Sequence, residues 1–434
     1  MRHAVLPENL FGSGYYLLFG IGLSTIILKV CLQLYRNPRG ISSVSDTSAA
    51  HLRRGGTIHY AILITVIIAA GLSQGLLLPV ISIILEQRGV SSSLNGLNAA
   101  ALYIGSFAMT MIAERLLAAF GFKKLMQGGL VLVLVCFLLF PVLPGVKTWF
   151  VLRLLVGAGD SAINYAAQLW VLLMTPAEHR GRNLSFYGMS YGLGFSLGPL
   201  GIGLLKFGES APFLALSFLF ALVLLLAAWK LPDSRPEKTA YQDSGAGRFS
   251  KVYKLAWYAL LPALLYGYME ASLNSSFPVY GLRAGFNEDQ IAALLPFAGI
   301  GGLVLQLPLG MLSDRIGRKP VLMMAGTGGG LAFALLSSGA GFWPAMVLLL
   351  IAGGLVGSFF SLGLAYAADI LPRDLIPAAN VASSFHFCIG SIIGPAAGGV
   401  LLQYGYGGEV FILLGLLYVV FAASGLLFSP KRKN

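Results

Sequence analysis

The chain of 434 residues is 57% hydrophobic and 11% charged, with mean hydropathy +0.80. Soluble domains carry about 25% charged residues, so this is the composition of a membrane protein. The net charge of +12 does not indicate a nucleic-acid binder, because the basic residues fall between apolar runs rather than in one patch, and the three cysteines, Cys31, Cys136 and Cys388, all in apolar runs, form no disulfide framework or metal cluster.

The first apolar run, about 12–34, lacks the basic leader and small-residue cleavage site of a signal peptide and reads as a retained accessory span. A polar segment, 36–56, follows it. Twelve further runs come next: 58–85, 94–119, 125–143, 149–175, 184–206, 211–231, 256–281, 290–312, 320–339, 343–371, 378–403 and 409–428. Each is long enough to cross the hydrocarbon core as a helix. Between the sixth and seventh runs, residues 232–255 carry Pro232, Pro236, Gly, Ser and charges of both signs, and read as a flexible linker. The expected organisation is therefore 1–56 accessory helix and linker, 57–231 first six-helix half, 232–255 linker, and 256–434 second half with a basic tail. No loop is long enough to fold as an ectodomain, which weighs against a receptor or extracellular enzyme.

Orientation follows from Lys and Arg. One set of alternate loops holds Arg36, Arg39, Arg53, Arg54, Arg115, Lys123, Lys124, Arg180, Arg182, Arg235, Lys238, Arg248, Lys251, Lys254, Arg315, Arg318, Lys319, Arg373 and the tail Lys431, Arg432, Lys433. The other set holds only Arg2, Arg88, Lys147, Lys206 and Arg283. The first set is expected in the cytoplasm, which places the amino terminus outside and the carboxyl terminus inside and requires an odd number of spans.

The halves repeat internally. At one constant offset Gly121 meets Gly317, Gly157 meets Gly353, Pro176 meets Pro372, and Gly198-Pro199 meets Gly394-Pro395. In this register Ala118 stands where the second half has Asp314, and Glu114 stands opposite Gly310.

The clearest motif is Gly310-Met311-Leu312-Ser313-Asp314-Arg315-Ile316-Gly317-Arg318-Lys319-Pro320. Its glycines suit a tight turn, Asp314 can cap a helix start or bind a cation, and its basic residues hold the turn on the cytoplasmic face. The pattern G-x-L-x-D-x-x-G-R-K resembles the loop signature of the major facilitator superfamily. A second pair, Gly194 with Gly198-Pro199 and Gly390 with Gly394-Pro395, resembles the G-x-x-x-G-P-x-x-G-G motif of the antiporters in that superfamily. Glycines four apart also make a plain packing seam.

The resemblance implies an all-helical membrane protein of two pseudo-symmetric six-helix halves, here with one extra amino-terminal helix. It further implies that the first, fourth, seventh and tenth spans line a central cavity. In the fourth, Arg153, Gly157, Asp160, Asn164 and Gln168 share one stripe. At about 1.5 Å per residue, Asp160 lies near mid-membrane, where an ionisable group is a functional residue by default; a structural ion pair with Arg153 is the alternative. The seventh offers Tyr266, Glu270, Asn274 and Phe277 on one stripe, the first contributes Gln74 ahead of Pro79, and the tenth contributes Phe360 and Tyr366.

Asp160 and Glu270 are the expected proton-coupling residues. Arg153, Gln74, Asn164, Gln168, Tyr266, Asn274, Phe360 and Tyr366 are the expected cavity residues. Gly310, Asp314, Arg315, Gly317, Arg318, Lys319, Gly194, Gly198, Pro199, Gly394 and Pro395 form the conformational motifs, and Asp314 is expected near the amino-terminal end of the fifth helix. Asp369 and Arg373 are spaced to form a surface pair. With no Walker loop, H-E-x-x-H or G-x-S-x-G pattern, neither an enzyme, a cofactor nor a metal is expected. The implied activity is proton-coupled efflux of amphipathic organic compounds by a monomer in the cytoplasmic membrane, whose partners are a small-molecule substrate, protons and the bilayer. A symporter or uniporter of a polar metabolite such as a sugar, a lipid or glycolipid flippase, and a membrane scaffold are the alternatives.

Overall fold

The computed structural model describes residues 48–175, 180–233, 246–405 and 407–429; the expected accessory span at 12–34 lies outside them. The described residues are helical throughout, without a strand. The helices are α1 (Ser48–Gln87), α2 (Ser92–Phe120), α3 (Phe122–Val142), α4 (Val146–Met174), α5 (Arg180–Leu197), α6 (Ala211–Lys230), α7 (Ala246–Arg283), α8 (Glu288–Ile316), α9 (Arg318–Leu336), α10 (Phe342–Val356), α11 (Phe359–Ile370), α12 (Ile376–Tyr404) and α13 (Glu409–Leu427). A 3-10 segment, Gly198–Phe207, continues α5, and α10 with α11 makes one interrupted span.

Nine spans among the described residues are long and apolar enough to cross a membrane by composition alone. The three that fall short are α4, α5 and α7. Two of these, α4 and α7, carry Asp160 and Glu270. Apolarity is lowest where the candidate chemistry sits.

The two halves are built alike. In the first, α1 packs on α5, α2 on α4, and α3 on α6; in the second, α7 packs on α12, α8 on α10, and α9 on α13. The halves meet where α2 crosses α12, where α8 meets α5 and its 3-10 continuation, and where α1 approaches α7. Each half has an aromatic core. Trp149 and Phe213 gather around Phe140, with the Trp149 ring N–H donating to the Phe140 carbonyl at 3.1 Å. In the second half Tyr258 stacks on Phe421 at 4.6 Å, and the buried Tyr418 hydroxyl donates to the Leu265 carbonyl.

Two segments expected as linker are helical. Residues 48–56 belong to α1, and 246–255 open α7, which departs from helical geometry at Ala256 (φ −133°, ψ 21°). The apolar run starts at 256, so hydropathy alone marks the bend and not the helix start.

The loops put Arg115, Lys123, Lys124, Arg315, Arg318, Lys319 and Arg373 at one end of the bundle, the basic end, and Arg88, Lys147, Lys206 and Arg283 at the other, the sparse end. The turn at the basic end between α8 and α9 rests on Gly317, whose φ of +96° a side chain would resist. Asp314, expected near the start of α5, lies in the last turn of α8. Its side chain is 63% exposed and pairs with Arg318 at 2.6 Å, and Arg318 reaches Asp369 at 3.3 Å, all within the second half. Asp369 therefore pairs across the turn with Arg318, instead of along its own helix with Arg373. Lys319 donates to the Phe428 carbonyl at 2.7 Å, tying the turn to the end of α13.

Candidate functional site

Exposure along α4 and α7 defines a cleft between the halves. α4 runs from the sparse end to the basic end; on its polar stripe Arg153, Gly157 and Asp160 are buried, Asn164 is half-buried and Gln168 is exposed. α7 runs the other way, and there Tyr266 and Glu270 are half-buried while Asn274 and Phe277 are buried. The α4 stripe opens toward the basic end, and on α7 the half-buried pair Tyr266 and Glu270 lies nearer that end than the buried Asn274 and Phe277.

In the first half Asp160 is 0% exposed. The Gln74 side chain of α1 lies against its carboxylate, outside strict hydrogen-bond geometry, and neither oxygen has a hydrogen-bond partner among the described residues. The Tyr191 hydroxyl of α5 donates to Gln74 Oε1 at 2.6 Å, which leaves the amide N–H groups of Gln74 free to face the carboxylate. Asn164 donates to the Asp160 carbonyl at 3.0 Å and is held by the Tyr187 hydroxyl at 3.0 Å.

Arg153, also 0% exposed, makes no ion pair with Asp160. Its Nη2 donates to the carbonyls of Leu77 and Leu78, at 3.2 and 3.1 Å, just before Pro79 of α1. The guanidinium thus braces α1, and no cation among the described residues is bonded to Asp160.

In the second half Tyr266 lies against the Glu270 carboxylate, and Asn274 donates to the Glu270 carbonyl at 2.8 Å. Phe387 of α12 stacks on Tyr266 and meets Phe360 edge-on, both with ring centroids 6.0 Å apart. Tyr366 does not join them. It is buried beside Tyr258 and Phe428, toward the basic end, in the packing core of the second half.

Two residues not singled out from the sequence complete the site. Tyr191 lies within electrostatic reach of both Asp160 and Glu270, and the buried Tyr103 of α2 lies within reach of Glu270 and Arg153. Tyr191 sits one turn before Gly194, and that proximity to the motif was the available signal. The arrangement is one carboxylate from each half, separated by phenol groups, at the closed end of a cleft walled by Tyr266, Phe360 and Phe387. Such a site can hold a proton or an organic cation on either carboxylate and an apolar body against the rings. No cluster of metal-ligating side chains occurs among the described residues.

The glycine motifs pack the halves internally. Gly194 and Gly198 bring α5 against the backbone of α1 at Ile68 and Gly75, and Gly394 brings α12 against Tyr268 of α7. Pro199 begins the 3-10 segment, whereas Pro395 lies inside an unbroken helix. Gly310 meets no neighbour that requires its lack of a side chain.

Among the described residues, twelve helical spans form two repeated halves around a polar cleft. The sequence profile of the Major Facilitator Superfamily matches residues 63–304 and 252–434, and the chain belongs to that superfamily, whose members are transporters and not enzymes. It is 40% identical over 380 residues to the uncharacterized MFS-type transporter YfkF of Bacillus subtilis (strain 168), covering 86% of this chain and 96% of the relative. It is 24% identical over 388 residues to Multidrug resistance protein 2 of the same organism, with the same coverage. Among solved structures, the nucleoside transporter NupG superposes with TM-score 0.68 at 15% identity, over 84% of this chain and 97% of that one. The D-xylose-proton symporter gives 0.68 at 17% identity, over 86% and 98%. These two likenesses concern the fold.

Proposed function

We propose that this transporter exports amphipathic organic compounds in exchange for protons, by alternating access, with its sparse end outside and its basic end in the cytoplasm. The observation that carries the reading is the pair of carboxylates, Asp160 and Glu270, one from each half, at the blind end of a cleft walled by aromatic rings. Neither forms an ion pair among the described residues, so each binds a proton or a cationic substrate, and the two compete for the same cleft. Glu270, beside Tyr266, is the proton carrier; Asp160, backed by Gln74, holds the cationic group of the substrate. Similarity to Multidrug resistance protein 2 supports export over uptake, and the excess of Lys and Arg at the basic end supports the orientation.

The test is transport by purified protein in proteoliposomes. A panel of labelled lipophilic cations and polar metabolites is followed by counterflow, with and without an imposed pH gradient. Accumulation of the cations that depends on the gradient is the expected result. Gradient-independent uptake of a sugar or nucleoside, with no movement of cations, would overturn it.

A further inference from the structure

At the sparse end one side chain joins its own helix to three others. Arg283, the last residue of α7, directs Nε to Glu86 Oε1 of α1 at 2.8 Å and Nη2 to Ser92 Oγ of α2 at 2.6 Å. Its Nη1 donates to the Leu402 carbonyl of α12. Leu402 lies in the last turn of α12, where the carbonyls have no partner within the helix and a cation is favoured. Arg283 is therefore anchored on its own half and reaches across to two helices of the other. Two further bonds flank it across the same boundary: Gln87 to Glu288 at 2.7 Å, and the Ser93 N–H to Gln403 at 3.1 Å. Beneath them α2 and α12 are in backbone contact, since a Cβ on Gly96 would fall 2.1 Å from the Pro395 carbonyl oxygen.

The chemistry suits a contact that opens and closes. A permanent join between halves is served better by apolar packing than by an ion pair. The Arg283 side chain is 41% exposed and that of Glu86 17%, so water reaches the pair as it parts, and a pair this wet is worth only about 0–1 kcal/mol on its own. The second Glu86 oxygen is buried without a partner, which keeps the closed state from being over-stabilised. At the basic end the Asp314–Arg318–Asp369 cluster stays within the second half, as expected of the open end.

We propose that Arg283 is the latch of the sparse end, a positioning residue whose bonds to Glu86 and Ser92 set the balance between the two access states. The inference rests on the alternating-access reading but not on the substrate or the coupling ion. Its test uses neither. Spin labels are placed on exposed positions of the full chain in nanodiscs, with Cys31, Cys136 and Cys388 replaced by serine. One pair, L94C and Y404C, spans the sparse end; another, A118C and N380C, spans the basic end.

The parent should show a short distance at the sparse end. Arg283→Ala should move the closed-to-open ratio about tenfold, equivalent to about 1.4 kcal/mol, lengthening the sparse-end distance and shortening the basic-end one together. The exchanged pair R283E/E86R should restore part of the parent distribution, because the swap rebuilds the ion pair but not the bond to the Leu402 carbonyl. Glu86→Gln, milder in structure, should shift both distances in the same sense and serves if Arg283→Ala does not fold. Unchanged distances, or a longer sparse-end distance with no shortening at the basic end, would overturn the latch. Failure of proton-driven export leaves these distances unaffected, so the two readings fail separately.

Discussion

The two halves use one repeat and break it at opposite places. In the first half α4 is continuous for 29 residues, and α5 gives way at Gly198-Pro199 to ten residues of 3-10 helix. In the second half the equivalent of α4 is interrupted between Val356 and Phe359, while α12 runs unbroken through Gly394-Pro395. Proline removes one backbone donor in both copies, so proline alone does not decide the outcome. The following residues differ: Leu200-Gly201-Ile202-Gly203 after the first proline, Ala396-Ala397-Gly398-Gly399 after the second. Two successive alanines carry a helix where alternating glycines and a β-branched residue do not. The charged residues follow the same division, since Arg153 and Asp160 lie on the unbroken fourth span and the interrupted one carries none of its own at that depth. A continuous helix holds a buried charge at a fixed depth, and an interrupted one offers a place to bend.

The largest effect should come from forcing the seam beside the broken copy apart. A Cβ at Gly75 would sit 2.1 Å from the Phe195 carbonyl oxygen, so Gly75→Val should destabilise the first half by about 3 kcal/mol, the upper part of the usual overpacking range, seen as loss of monodisperse protein on size-exclusion chromatography and a lower Tm. An unchanged Tm would mean that α1 and α5 separate easily and that the comparison of halves is misdrawn.

The carboxylates sharpen the comparison next. Glu270→Gln should abolish pH-gradient-driven accumulation but keep substrate exchange, while Asp160→Asn should weaken binding of cationic compounds by about tenfold, some 1.4 kcal/mol, in a direct binding assay. Intact gradient-driven accumulation in Glu270→Gln would remove the second half from coupling.

Smaller again is the helix-propensity test. Replacing Ala396 and Ala397 with glycine should cost about 1 kcal/mol at each position and speed amide exchange in α12 beyond Pro395. Equal exchange in parent and variant would show that packing against α7, not alanine, keeps this copy helical.

The smallest effect on stability belongs to Asp314→Asn. The exposed Asp314–Arg318 pair is worth about 0–1 kcal/mol, so Tm should hold while turnover slows with little loss of binding. A collapse of binding at unchanged turnover would make Asp314 a substrate contact.

Much of this was readable in the sequence, for definite reasons. Apolar runs, basic loops and the turn at Gly317 mark the spans because the bilayer leaves few alternatives. Asp160 and Glu270 stand out because charge within such runs is rare. Tyr191 and Tyr103 do not, since tyrosine is ordinary in a membrane helix and their role depends on neighbours from other helices. Tyr366 was expected in the cavity with Phe360, but both lie in α11, where a separation of six residues turns the two side chains about 120° apart. Arg283 was visible as a lone basic residue, but its partners Glu86, Ser92 and Leu402 lie far away along the chain, and local spacing cannot connect them.

The gradient of exposure along α4 and α7 has an electrical meaning. Water entering from the basic end would carry the potential of that side up to the carboxylates, so most of the membrane voltage would drop across the sealed layer between them and the sparse end. Under the proposed alternating access the seal would pass to the other end, and Asp160 and Glu270 would come to the opposite potential without moving. A charge bound there would cross the field by standing still, at about 2.3 kcal/mol per elementary charge for each 100 mV. Exchange of one proton for a monovalent cation would then be indifferent to voltage, and exchange for a neutral compound would be driven by it.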